Sequence, residues 1–141
     1  MSPEDLAGLI HEGRGVEELP TYVAAGGSVN TVDSRSGMPL LNFACEHQHR
    51  DMIRALIGLG ADPNIRDPFG QSPLHVAVDI DIDSLVQSGG DAEELRFETT
   101  RLLLELGADR EARDSQGRTP RDWAAAYGPV ALRRYDTLTA N

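Results

Sequence analysis

Apolar residues recur three and four positions apart in two stretches of the chain. Met52, Ile53, Leu56 and Ile57 share one helical face, and Leu95, Leu102, Leu103 and Leu106 outline another, with Thr99 interrupting the second stripe. Both stretches predict amphipathic helices. Helix starts are marked as clearly as the stripes. In Ser72-Pro73-Leu74-His75-Val76-Ala77, Ser72 can cap a helix through its hydroxyl. Pro73 takes the first helical position, where a missing N–H costs nothing. Thr119-Pro120-Arg121-Asp122 repeats the device, with Asp122 placed to approximate a capping box. Between Gly37 and Ala44 the capping position falls to Met38, so that helix lacks a hydroxyl cap and starts less firmly.

These signals repeat. Gly60-Ala61-Asp62-Pro63-Asn64-Ile65-Arg66-Asp67 returns as Gly107-Ala108-Asp109-Arg110-Glu111-Ala112-Arg113-Asp114, and more weakly upstream as Gly26-Gly27-Ser28-Val29-Asn30-Thr31-Val32-Asp33. The intervals are 34 residues from Gly26 to Gly60 and 47 from Gly60 to Gly107. Each period predicts a turn, an inner helix and an outer helix. One such pair cannot bury its apolar face alone, so neighbours must stack into a continuous core.

Ser72 to Ala77 nearly matches T-P-L-H-x-A, and Gly60 to Asn64 matches G-A-D-x-N; in both the chain resembles the ankyrin repeat family. The register runs from about Asp5 to Tyr135. Leu41 and Asp122 stand where the family has His, and Arg121 where it has Leu, which removes the family's turn-bracing histidine from the second and fourth units. The expected fold is all-α: a single-domain solenoid over 1–141 with about four units, roughly 2–33, 34–67, 68–114 and 115–141. The first unit lacks turn and cap landmarks and the last lacks a closing Gly-Ala, so both read as terminal caps. Against a period of about 33 residues, the third unit carries an insertion between its inner and outer helices, within 79–90. It is expected as a surface loop, which costs little entropy. Gly89-Gly90 would break the chain, and Asp91-Ala92-Glu93-Glu94 would cap a lengthened outer helix.

Charge narrows the partners. The formal net charge is -10, which disfavours nucleic acid and anionic membranes. All 13 basic residues are arginine, the bias of a GC-rich bacterial genome. The lone Cys45 excludes an intramolecular disulfide and fits a reducing compartment; Cys45 itself is expected half-buried. No apolar run approaches the roughly 20 residues that span a bilayer. The acidic Met-Ser-Pro-Glu-Asp start lacks a secretory build, so a cytoplasmic monomer is expected.

Candidate chemistry is thin. Asp79, Asp81 and Asp83 alternate like a calcium loop, but Ser84 and Gly90 stand where that loop needs Gly and Glu, which leaves a solvated acidic edge. Cys45, His47 and His49 are spaced two apart, so on a helix they point to different sides and do not converge on a metal. Gly89-Gly90 lacks the Lys of a phosphate loop. His75 has no carboxylate to complete a triad, and the resemblance gives it a structural task, tying its helix start to neighbouring loops. Trp123 is expected in the core or the cap.

No catalytic residue, cofactor site or metal site is assigned. The resemblance implies a non-enzymatic module that binds a partner protein through turn tips and the inner-helix face. Carried over by position, the partner-binding residues are Arg35, Ser36, Met38, Glu46 and His47 in the second unit. In the third they are Phe69, Gln71, Asp79 and Ile80, and in the fourth Ser115, Gln116, Arg118 and Tyr127. Phe69 is the sharpest, a large apolar group at a turn tip with no core to fill. A second class stays open: an immunity or inhibitor protein that neutralises a basic bacterial toxin or enzyme.

Overall fold

The computed structural model describes residues 1–140. Eight α-helices follow one another among them: α1 (Pro3–His11), α2 (Leu19–Ala24), α3 (Leu40–Glu46), α4 (Arg50–Gly58), α5 (Pro73–Gln87), α6 (Glu98–Glu105), α7 (Pro120–Ala126) and α8 (Pro129–Leu138). The odd-numbered helices stack in order, α1 on α3, α3 on α5 and α5 on α7. Helices α4, α6 and α8 each pack against the helix before them. This is the expected all-helical stack.

Local chemistry explains the starts. Ser72 and Thr119 each accept the backbone N–H three residues on, and His75 and Asp122 accept the N–H of the cap in return. Helix α3 has no side-chain cap, as expected, but its capping position is Pro39 rather than Met38. The first unit departs from expectation. Ser2-Pro3-Glu4-Asp5 forms a full capping box on α1, with Asp5 Oδ2 accepting from Ser2 N–H at 2.9 Å. It is the Ser-Pro signal of Ser72-Pro73.

Each turn is organised by a buried aspartate. Asp67 Oδ1 accepts the N–H groups of Phe69 and Gln71 (2.9 and 2.8 Å), and Asp114 Oδ1 accepts those of Gln116 and Arg118 (3.0 and 2.9 Å). Asp33 accepts from the N–H and hydroxyl of Ser36. Asparagines tie one unit to the next. Asn30 Oδ1 accepts from Asp62 N–H (2.8 Å), and Asn64 Oδ1 from Asp109 N–H (2.7 Å). Gly26, Gly60 and Gly107 all hold φ near +100°, a left-handed helix exit that favours glycine.

The apolar stripes fill two clusters. The larger holds Leu6, Ile10, Leu40, Met52, Ile53, Leu56, Leu74 and Leu103 among others. The smaller gathers Val78, Ile82, Leu95, Phe97, Ala124, Ala131 and Tyr135.

That second cluster revises the third unit. The segment expected as a surface loop is mostly helix, since α5 runs 15 residues where α3 and α7 have 7. Its added turns bury Asp81 and Ile82. The break comes at Gly89 (φ +79°), as expected. The box at Asp91 and Glu94 caps only a one-turn 3₁₀ helix, Ala92–Glu94, and the outer helix α6 is not lengthened. Leu95 lies before α6 and joins the second cluster rather than the outer-helix stripe. Thr99, read as an interruption of that stripe, is fully buried on α6.

Phe97, at the start of α6, takes φ +51°, a costly geometry for a bulky residue. Its ring is 2% exposed and meets Tyr135 edge-on at 5.9 Å, so packing holds the strain. Phe97 offers no side-chain cap; Asp81 reaches over from α5 instead. Its carboxylate accepts from the Thr100 hydroxyl and N–H, each at 2.8 Å, and from Thr99 N–H at 3.4 Å. Burial pushes the Asp81 carboxyl above its usual range, against those hydrogen bonds. The acidic edge therefore splits: Asp81 is a structural cap, while Asp79 and Asp83 stay partly exposed. Cys45 is likewise deeper than expected, fully buried, with desolvation pushing its thiol up.

Candidate interaction surface

The turn tips form one edge of the stack. Gly37 lies so close to Pro68 that a Cβ there would sit 3.0 Å from its ring, and one on Gly70 would sit 2.7 Å from Ser115 N. Ser115 N–H donates to Phe69 O at 3.4 Å. Arg66 fastens the same edge, donating to the carbonyls of Gly70 (3.1 Å) and Arg113 (2.8 Å). Along it Arg35, Ser36, Phe69, Ser115, Gln116 and Arg118 are exposed, and the Phe69 ring is 68% exposed. Met38 and Gln71 are half-buried. The Gln71 backbone also serves the stack, its carbonyl accepting from Asn42 Nδ2 at 3.2 Å.

A second zone lies on the inner helices α5 and α7. The Tyr127 hydroxyl donates to Asp79 Oδ1 at 2.6 Å, and a groove of about 320 Å³ opens among Asp79, Arg118, Asp122, Trp123, Ala126 and Tyr127. Burial, together with the Asp79 carboxylate, pushes the Tyr127 phenol well above its ordinary range. Trp123 is half-buried: its Nε1–H donates to Asp114 Oδ2 (3.0 Å), and the Arg118 guanidinium lies 5.3 Å from its ring centre. Asp114 also pairs with Arg118 Nε at 3.1 Å. His75 stands behind them, fully buried. Its Nε2 is 2.8 Å from Arg118 O, a carbonyl that only accepts, so Nε2 carries the proton and Nδ1 accepts from Ser72 N–H at 3.1 Å. Desolvation lowers its pKa and keeps it neutral. The bridge from turn to turn that the resemblance assigned to His75 is in place.

A third zone sits at the far end of α3. Glu46 is exposed, and His47 packs against Phe43 (ring centres 4.6 Å apart) and edge-on to His11 (4.8 Å). Desolvation and the His11 charge lower the His47 pKa. His49 turns away, capping α4 through Met52 N–H. Among the described residues no three His, Cys, Asp or Glu side chains gather as metal ligands, and no helix is long and apolar enough to cross a membrane.

The structure thus brings Phe69 beside Ser115, and Asp79 beside Arg118 and Tyr127. It leaves Glu46 and His47 at the end of α3 remote from the tips, and Ile80 half-buried on α5. The groove residues Asp122 and Trp123 were missed as surface candidates. Their position one helical turn before Ala126 and Tyr127 was the available signal.

Comparison with known proteins agrees with this architecture. Residues 22–77 match the model for ankyrin repeats in many copies, and residues 69–115 that for the ankyrin repeat. The chain belongs to the ankyrin repeat family, and it is a protein–protein interaction module. It is similar to neurogenic locus notch homolog protein 1 of Cricetulus griseus, 30% identical over 102 residues, 72% of this chain and 4% of the relative. It is also similar to the nuclear factor NF-kappa-B p110 subunit of Drosophila melanogaster, 38% over 60 residues, 43% of this chain and 6% of that protein. The E3 ubiquitin-protein ligase KEG of Arabidopsis thaliana is 28% identical over 107 residues, 76% of this chain and 6% of its own length. The chain therefore spans only 4–6% of these relatives.

Proposed function

We propose that the chain holds a partner protein along the edge of turn tips and the adjoining inner-helix face, with Phe69 as the apolar anchor. One observation carries this reading. A phenylalanine 68% exposed on a rigid, hydrogen-bonded tip gains nothing for the fold, whereas burial against a partner removes its ring from water. The other candidates on the same edge, Arg35, Ser36, Ser115, Gln116 and Arg118, supply the polar rim. The Ser72 hydroxyl and the His75 ring, 2.8 Å apart, are both fully buried and committed to the α5 cap and the bridge to Arg118 O, which supports binding over catalysis. The experiment is copurification from the native host followed by surface plasmon resonance with the captured protein and the Phe69→Ala variant. Unchanged affinity in a normally folded variant would move the interface off this edge.

The net charge of -10 favours a second, narrower reading, in which the partner is a basic toxin or enzyme and binding neutralises it. Addition of the chain to the captured partner would then abolish the partner's activity at equimolar ratio. Full activity in the complex would leave only the scaffold reading.

A further inference from the structure

We infer that the groove between α5 and α7 receives an arginine side chain of the partner protein. The inference rests on the proposed binding role and names what that face recognises. The walls decide the chemistry. Trp123 and Tyr127 supply aromatic surface, and the carboxylates of Asp79 and Asp122 line the same cavity of about 320 Å³. Tyr127 takes up one oxygen of Asp79, and the cap N–H of Thr119 takes up one of Asp122. Each carboxylate keeps a second oxygen to accept from a guest. Asp83 lies on the same helix, close enough for its charge to act on Tyr127.

The one cation in the lining, Arg118, is already neutralised. Its Nε pairs with the buried Asp114 at 3.1 Å. What remains facing the groove is negative, and it complements a positively charged guest. Arg118 also shows what this ring accepts, since its guanidinium rests 5.3 Å from the Trp123 centre. Guanidinium suits such a site better than ammonium, because a planar fork stacks on aromatic faces and meets carboxylates with two N–H groups at once.

Trp123 is the chain's single tryptophan, so its emission reports this groove. The probes are acetyl-Gly-Arg-Gly-amide and its citrulline counterpart, which keeps the shape and removes the charge. The arginine peptide should change the Trp123 emission saturably, and the citrulline peptide should bind at least about fivefold more weakly. Asp79→Asn should weaken the arginine peptide by about fivefold, the size of one partly exposed ion pair. Tyr127→Ala, which removes a wall, should abolish the response. Melting curves confirm that both variants fold.

A response without saturation, an equal response to citrulline, or an unchanged affinity in both variants would overturn the groove assignment. The captured partner separates the two claims. Weakening by both Phe69→Ala and Asp79→Asn supports the groove. Weakening by Phe69→Ala alone keeps the edge as interface and overturns the groove.

Discussion

Asp33, Asp67 and Asp114 occupy one position of the repeat, and each holds a turn through its carboxylate. Asp114 carries the most. Burial opposes its charge, but hydrogen bonds from Arg118 N–H, Trp123 Nε1–H and Gln116 N–H, with the Arg118 charge, hold its pKa at about 2. A carboxyl depressed in the folded state contributes stability above its unfolded value of 3.8, and that contribution is lost as pH falls through 3.8 towards about 2. Acid titration followed by circular dichroism should therefore show Asp114→Asn flattening the stability loss in that window. At neutral pH the substitution should cost about 1–3 kcal/mol, because donors aimed at a buried carboxylate are left poorly matched. Phe69 is the opposite kind of residue. Phe69→Ala should leave the melting temperature almost unchanged, yet weaken the native complex at least about tenfold, mainly through faster dissociation. Surface plasmon resonance beside a thermal melt separates the two effects.

At the scale of elements, the long α5 is where the third unit differs from its neighbours. A surface loop in place of residues 82–90 would be replaceable by a Gly/Ser linker with little change in stability. The structure reverses that expectation, because Ile82 is buried in the second cluster with Phe97 and Tyr135, and Leu85 packs against it. The replacement should cost roughly 2–5 kcal/mol in urea unfolding, the usual range for emptying one large aliphatic site. Asp81→Ala should also destabilise, by about 1–3 kcal/mol, since it strips the start of α6 of its acceptor and leaves Thr99 and Thr100 N–H groups unpaired. An Asp81→Ala protein as stable as the parent would assign the start of α6 to packing of Phe97 alone.

For the molecule as a whole, stability is a sum over units and the contacts between them. Asn64 makes one such contact, accepting from Asp109 N–H, and Glu111 stands at the same position of the third unit. Asn64→Ala should lower overall stability by about 1 kcal/mol and broaden the unfolding transition, because the third unit is coupled less tightly to the second. A calorimetric scan with an unchanged, equally sharp transition would show that the stacked helices alone set the coupling.

Much of this was legible in residue order. Spacing and caps depend on neighbours in the chain, so the Gly26, Gly60 and Gly107 period, the Ser72 and Thr119 caps and the Phe69 turn tip were all readable from it. Ser2-Pro3 was equally local and lacked only a full turn before it to mark it. Tertiary structure decided what depends on distant partners. Asp79, Asp81 and Asp83 are chemically identical along the chain, yet one caps α6 from within the core, one meets Tyr127 across the groove, and one bonds Gln87 on its own helix. The fate of the extra residues in the third unit was likewise undecided by pattern. Whether they hang as a loop or extend α5 depends on an apolar surface to receive Ile82, and that surface comes from Phe97, Ala124 and Tyr135 in later elements. Periodicity reports the face a helix must bury; only the assembled stack supplies what it is buried against.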